Sequence, residues 1–256
     1  MKVVILAGGL GTRISEETVY KPKPMVLIGD KPILWHIMKI YATHGFTDFI
    51  ICCGYKGHAI KEYFANYLLQ GSNFSIKTKT NEIKIHSTPD EDWNVTLVDT
   101  GELTMTGGRV KRVKEFLNNE PFFLTYGDGV GNVNITELLS FHIESGRKAT
   151  LTATKPFGRF GVIDIEDNGL ISSFKEKNME DVSWINGGFF VLEPSVIDYI
   201  DGDETVFEKH PLERLTYECE LGAYKHTGFW RAMDSLNDKN VLEEHWNTGN
   251  APWKIW

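Results

Sequence analysis

Residues 3–13, VVILAGGLGTR, constrain the fold of this chain more than any other stretch. Four apolar residues lead directly into glycines, then a threonine and an arginine, which describes a buried strand delivering a flexible loop to the edge of a sheet. Gly8, Gly9 and Gly11 carry no Cβ, so backbone N–H groups can turn toward an anion at close range. Arg13 adds a planar guanidinium fork and Lys23, just beyond, a mobile point charge. Together they suit a phosphate. Neither familiar phosphate motif applies: a dinucleotide fingerprint would need a third glycine at Ile14, and no lysine follows the glycines as a P-loop requires. An ordinary strand-to-helix turn is the alternative.

A chain of 256 residues holds one large domain or two small ones. With 41% apolar and 24% charged residues it has the composition of a globular protein. The net charge of −8 argues against nucleic acid as the main partner. No apolar run approaches the ~20 residues of a membrane span, and the charged, glycine-rich start is not a signal peptide, so the expected compartment is the cytoplasm. Three cysteines, Cys52, Cys53 and Cys219, form no C-x-x-C pair and read as buried thiols.

Further along, residues 33–44 carry a helical apolar stripe closed by Gly45, residues 49–53 read as a buried strand and 58–69 as a helix. Strand, helix, strand, helix implies parallel strands with crossover helices. Residues 74–80 and 82–87 alternate around Asn81 as a half-exposed hairpin, and 95–98 follow as a third short strand, so an insertion at about 74–98 is expected. The helical 109–117 segment is basic through Arg109, Lys111, Arg112 and Lys114, a pattern usual for a solvated face.

The apolar strand PFFLTY at 121–126 ends in Gly127-Asp128-Gly129. A carboxylate at the carboxyl end of a buried strand, flanked by glycine, stands where open α/β sheets place ligands and where a metal can approach. An Asp-Gly turn is the bland reading. Short glycine-punctuated strands at 159–163, 170–175 and 185–191 suggest antiparallel additions walling one side of the site. There Glu176, Lys177 and Asn186 offer an acceptor, a cation and an amide, suited to a hydroxylated, phosphorylated ligand. Asp234 is a second carboxylate after an apolar approach, and it could equally cap the helix expected over 235–246. No linker divides the chain, so it reads as one domain over 1–256. Residues 1–130 would be mainly nucleotide-binding, 131–234 mainly sugar-binding, and 235–256 a helix and tail.

With these parts in hand, the sequence resembles the sugar-1-phosphate nucleotidyltransferases. The broad signal is L-A-G-G-x-G-T-R at 6–13 followed by the K-P-rich 21–25. A narrower likeness, to members that use CTP and glucose 1-phosphate, rests on residues 98–101, 105–109, 125–130, 185–192 and 251–254. The chain departs from many relatives in having Glu176-Lys177-Asn178 for E-K-P, and Thr106-Gly107-Gly108-Arg109-Val110 where others carry G-T-A-G-A-L.

The resemblance implies a Rossmann-like α/β fold: a mixed, mostly parallel sheet with flanking helices, an inserted hairpin and a small antiparallel sugar-binding subregion. It implies a nucleotide site of Leu6, Ala7, Gly8, Gly9, Gly11, Thr12, Arg13, Lys23, Thr104, Arg109 and Gly127. It implies a sugar-phosphate site of Gly161, Glu176, Lys177 and Asn186, and one Mg²⁺ held by Asp128 and Asp234. Arg13, Lys23, Asp128 and Asp234 would be the catalytic set. The reaction implied is attack of glucose 1-phosphate on the α-phosphorus of CTP, with Arg109 and Thr104 selecting the base. Similar proteins assemble into trimers and hexamers, so a homo-oligomer is expected. Use of UTP or dTTP, and a silent nucleotide-sugar-binding regulator, are the alternatives.

Overall fold

A computed structural model of the chain describes residues 1–18, 20–155, 162–165, 171–175 and 183–256, with backbone alone at 13, 15, 16, 162–165 and 171–175. Its centre is a seven-stranded sheet. The strands are β1 (Lys2–Leu6), β2 (Asp48–Cys53), β3 (Asn94–Asp99), β4 (Phe122–Tyr126), β5 (Ala149–Thr154), β6 (Ile185–Leu192) and β7 (Leu221–His226). Their spatial order is β7-β5-β6-β4-β1-β2-β3. β3, β2, β1 and β4 are mutually parallel, as are β5 and β7, while β6 runs antiparallel to both its neighbours.

Alternation along the strands builds two cores. Val3, Ile5, Phe49, Ile51, Phe123, Phe189 and Val191 pack on one face with the Ile33–Thr43 helix and Trp253. Val4, Ile50, Phe122, Leu124, Phe190 and Leu192 pack on the other with Val110, Val113 and Phe207. Successive strand residues point to opposite faces, so Cys53 joins the first core and Cys52 the second. Burial pushes both thiols up, Cys53 to about 11, which leaves them unreactive. Cys219 departs from expectation: it is exposed, on a turn with φ +59°.

The chain leaves β1, adds β2 and β3 on one side, and then returns to place β4 on the other side of β1. Such a reversal opens a crevice beyond the carboxyl ends of β1 and β4, where connections leave in opposite directions. The glycine loop follows β1 and Asp128 follows β4, so both stand at that crevice.

Three expectations are corrected. The 94–99 segment is no part of an insertion: it is the edge strand of the central sheet, paired along its length with β2. The remaining hairpin, Phe74–Lys77 with Glu82–Ile85, is exposed throughout, and Asn81 takes φ +54° beside its turn. The 185–192 segment is an internal strand between β5 and β4, whereas Val162–Ile165 and Ile171–Lys175 form a separate two-stranded ribbon. The helix expected over 58–69 is two, Gly57–Ala65 and Tyr67–Gln70, meeting at Asn66.

Candidate active site

Lys23 stands in a short 3-10 turn, Lys23–Met25, preset by the extended backbone of Pro22. Pro24 of that turn lies against Gly127, where a Cβ would come within 3.0 Å of Pro24 Cγ and 2.8 Å of the Leu6 carbonyl. The Gly127 N–H donates to that carbonyl at 3.0 Å. Glycine at 127 is therefore a packing requirement that presses the lysine turn and the end of β1 against the end of β4.

The second carboxylate arrives by strand pairing. Trp230–Ala232 pairs antiparallel with Gly129–Gly131, and the Met233 N–H donates to the Asp128 carbonyl at 2.8 Å. Asp234 follows directly. It is not the helix cap: the Ser235 hydroxyl accepts the Asp238 N–H at 3.2 Å, and Asp238 returns a carboxylate oxygen to the Ser235 N–H at 2.9 Å. With capping assigned to Ser235, the Asp234 carboxylate is directed to Lys23.

There the three charges meet. Lys23 Nζ donates to Asp128 Oδ2 at 2.6 Å and to Asp234 Oδ1 at 2.8 Å. Burial works against the lysine charge, but the two carboxylates outweigh it and leave its pKa above the usual lysine value. Lys23 is thus a cation at neutral pH. The carboxylates keep 29% and 32% of their side-chain surface open, so they can turn toward a ligand. Two hard oxygen donors already gathered round one positive charge fit Mg²⁺, which keeps waters and substrate oxygens in its other positions. Among the described residues no set of three His, Cys, Asp or Glu could enclose a metal.

Beneath the glycine loop lies Arg109, carried by the Thr106–Arg112 helix and buried to 4% exposure, unlike the solvated face expected of that basic run. Its Nη1 donates to Gly101 O at 2.7 Å, Thr100 Oγ1 at 2.8 Å and Cys53 O at 3.3 Å. Its Nη2 donates to Gly8 O at 2.9 Å and Glu102 O at 3.1 Å. Burial draws its pKa down from the ordinary arginine value. Thr104, in the segment just ahead of that helix, is buried too. A Cβ at Gly8 would fall 2.1 Å from Arg109 Nη1, whereas one at Gly9 would meet nothing. Ala7 is buried, Leu6 half-buried, and Thr12, itself exposed, opens the 3-10 turn Thr12–Ile14, whose Ile14 is fully buried. Gly11, at φ +64°, adopts the left-handed turn that glycine permits.

Sequence reasoning missed the fastenings of this loop. Thr18 Oγ1 donates to the carbonyls of Gly11 and Ile14, each at 3.1 Å, and Lys56 Nζ donates to Thr18 O at 2.7 Å. No local pattern marks either residue, because their partners are backbone atoms.

On the other flank, Asn186 Nδ2 donates to Tyr126 Oη at 3.0 Å, and its Oδ1 accepts the Gly188 N–H at 2.8 Å. Asn186 thus sits beside the end of β4, next to Gly187, whose carbonyl accepts Trp230 Nε1–H at 2.7 Å. Gly161, Glu176 and Lys177 lie outside the described residues. Away from this cluster, Glu91 binds Lys39 and Tyr67, and Asp203 pairs with Arg112 at the surface.

The model of the nucleotidyl transferase family matches residues 2–230. The chain belongs to the nucleotidyl transferase family. Among curated members it is 59% identical, over 100% of both chains, to a glucose-1-phosphate cytidylyltransferase of Salmonella typhi. It is 32% identical to a mannose-1-phosphate guanyltransferase of Saccharomyces cerevisiae, covering 94% of this chain and 63% of that one. Of solved structures, HddC from Yersinia pseudotuberculosis superposes with a TM-score of 0.69 at 22% identity, covering 96% and 99% of the two chains. A UDP-glucose pyrophosphorylase complexed with UDP-glucose gives 0.68 at 17%, covering 97% and 98%. These two likenesses show a shared fold, consistent with that of the nucleotidyltransferases. No helix among the described residues is long and apolar enough to cross a membrane.

Proposed function

We propose that this nucleotidyl transferase moves the cytidylyl group of CTP onto glucose 1-phosphate, releasing pyrophosphate and forming CDP-glucose. The observation that carries the reading is the convergence of Asp128 and Asp234 on Lys23 beside the glycine loop. The full-length 59% identity to an enzyme of that name supports the choice of substrates.

An oxygen of the sugar phosphate attacks the α-phosphorus and the bond to the departing pyrophosphate breaks. No general base is required, because a phosphate monoester with a second pKa near 6 is already largely dianionic at neutral pH. The task is to bring anions together in line. Backbone N–H groups of residues 8–11 and Arg13 receive the triphosphate, and Lys23 meets the α-phosphoryl oxygens. Asp128 and Asp234 would hold Mg²⁺, and when bound it would supply charge neutralisation at the reacting phosphates. Asn186 receives the hexose, with Gly161, Glu176 and Lys177 completing the sugar-phosphate side. Base choice falls to Arg109 and Thr104: a guanidinium only donates, and cytosine presents O2 and N3 as adjacent acceptors where uracil has N3–H. Reading the base asks Arg109 to exchange one of its protein carbonyl acceptors for the pyrimidine.

A cytoplasmic homo-oligomer, trimer or hexamer, goes with this reading. Phe74 and Ile76, opposite Ile85 and Ile83, give the exposed hairpin an apolar face that supports a subunit contact. Incubation of the purified protein with CTP, glucose 1-phosphate and Mg²⁺, followed by chromatography, tests the reaction. CDP-glucose and pyrophosphate in equal amounts are expected; binding of both substrates without product would favour a regulator.

A further inference from the structure

Beyond the three-charge cluster, one polar chain crosses the domain between its two substrate flanks. Asn186 Nδ2 donates to Tyr126 Oη at 3.0 Å, and Tyr126 Oη donates to Glu208 Oε1 at 2.7 Å. The second oxygen of the same carboxylate, Oε2, accepts the Thr106 hydroxyl at 2.6 Å, and Thr106 Oγ1 in turn accepts the Phe207 N–H at 2.9 Å. Thr106 is the first residue of the helix that carries Arg109 one turn later.

The directions of these bonds are fixed. Asn186 Oδ1 is held by the Gly188 N–H, so the amide must present its N–H to Tyr126. Burial, with the Glu208 carboxylate adding to it, pushes the Tyr126 phenol up, so the hydroxyl stays a donor. The Thr106 hydroxyl accepts the Phe207 N–H on one lone pair and directs its single hydrogen at Glu208 Oε2. Glu208 must therefore accept on both oxygens, which a carboxylate does and an amide of the same shape does not.

The helix has no slack against the loop that carries Glu208. A Cβ at Gly107 would lie 2.7 Å from Thr205 O, and one at Gly108 would lie 2.6 Å from Asp203 Cα. The Gly107 N–H donates to Thr205 O at 2.9 Å and the Met105 N–H to Asp203 O at 2.8 Å. A displacement of this loop is passed to the amino end of the helix, and from there to Arg109 beneath Gly8.

We propose that Glu208 is a positioning residue: its carboxylate ties the sugar-side amide of Asn186 to the helix that places Arg109, and so sets both substrate flanks with one group. The inference rests on the cytidylyl-transfer reading for which flank meets which substrate. It assigns Glu208 no contact with substrate or reacting atoms.

Glu208→Gln, Tyr126→Phe and Thr106→Val, compared by pyrophosphate release with CTP and UTP, separate the two arms. Tyr126→Phe is expected to raise the KM for glucose 1-phosphate roughly 3- to 10-fold, the worth of one hydrogen bond, with the CTP/UTP ratio of kcat/KM within twofold of wild type. Thr106→Val is expected to do the reverse, lowering the CTP/UTP ratio by a similar factor. Glu208→Gln should show both changes, with kcat falling less than KM rises. A Glu208→Gln protein with both quantities unaltered overturns the proposal, as does a loss of kcat with unchanged KM values and a lowered Tm, the mark of a merely structural role. Should Glu208→Gln fail to fold, the split between the other two variants decides: a clean split supports the tie and its absence overturns it. A wild type that turns over neither nucleotide removes the functional reading itself, and this inference with it, and is told apart by the absence of any rate to compare.

Discussion

The Met233 N–H donates to the Asp128 carbonyl at 2.8 Å, one residue ahead of Asp234. This single backbone bond, continuing the pairing of Trp230–Ala232 with Gly129–Gly131, brings together two carboxylates 106 positions apart in the chain. Lys23 then holds both. Replacing either carboxylate by its amide keeps the strand pairing and removes a charge. Asp128→Asn and Asp234→Asn are each expected to lower kcat/KM at least about 100-fold at saturating Mg²⁺, with Tm changing by only a few degrees. Pyrophosphate release and thermal unfolding measure the two quantities.

Arg109 provides the second expectation. Its five acceptors are a hydroxyl and carbonyls from three separate chain segments, and lysine cannot span them. Arg109→Lys should cost about 2–4 kcal/mol of stability, since buried carbonyls lose their donors. It should also narrow the preference for CTP over UTP. Urea unfolding and the two kcat/KM values check these; full stability would mean that solvent or neighbours replace the donors.

The glycine loop offers a paired test. At Gly8 a methyl group would displace the Arg109 guanidinium, 2.1 Å from the new Cβ. Gly8→Ala is therefore expected to cost about 1–3 kcal/mol, while Gly9→Ala, with open space around it, should leave Tm within a degree or two. Equal Tm losses in the two variants would contradict this account of the loop's underside.

His36 makes stability depend on pH. It is fully buried, with Nε2–H donating to Ile28 O at 2.9 Å and Nδ1 accepting Trp253 Nε1–H at 3.4 Å, so the ring is neutral and fastens the carboxyl-terminal tail. Burial lowers its pKa to about 4 from an ordinary 6.5. The unfolded chain therefore binds the proton more tightly. The contribution is complete above pH 6.5 and is lost as pH falls toward 4, amounting to about 3 kcal/mol. Urea unfolding between pH 7.5 and 5 should show about 2 kcal/mol of this loss in wild type and a shallower dependence in His36→Leu.

Local signals in the sequence carried β1, the 33–43 helix with its Gly45 stop, the Asn81 turn and the strand leading to Asp128, because each is written in contiguous residues. Partners were not legible. Residues 94–99 alternate like a ribbon strand, yet they pair with β2; strand pattern specifies a face and leaves the neighbour open. Arg109 reads as part of a solvated basic run, and only the convergence of carbonyls from Gly8, Cys53 and Gly101 buries it. Asp234 reads equally as a cap from sequence, whereas Ser235 and Asp238 close that helix. Glu208 carries no sequence signal at all, since its partners are 82 and 102 residues away.

The most direct test of cytidylyl transfer is the steady-state kcat/KM of the purified protein for CTP and for UTP, with glucose 1-phosphate and Mg²⁺, followed by pyrophosphate release. A CTP value at least about tenfold above UTP is expected, from the acceptor edge that cytosine offers and uracil lacks. Equal values, or a preference for UTP, would contradict it.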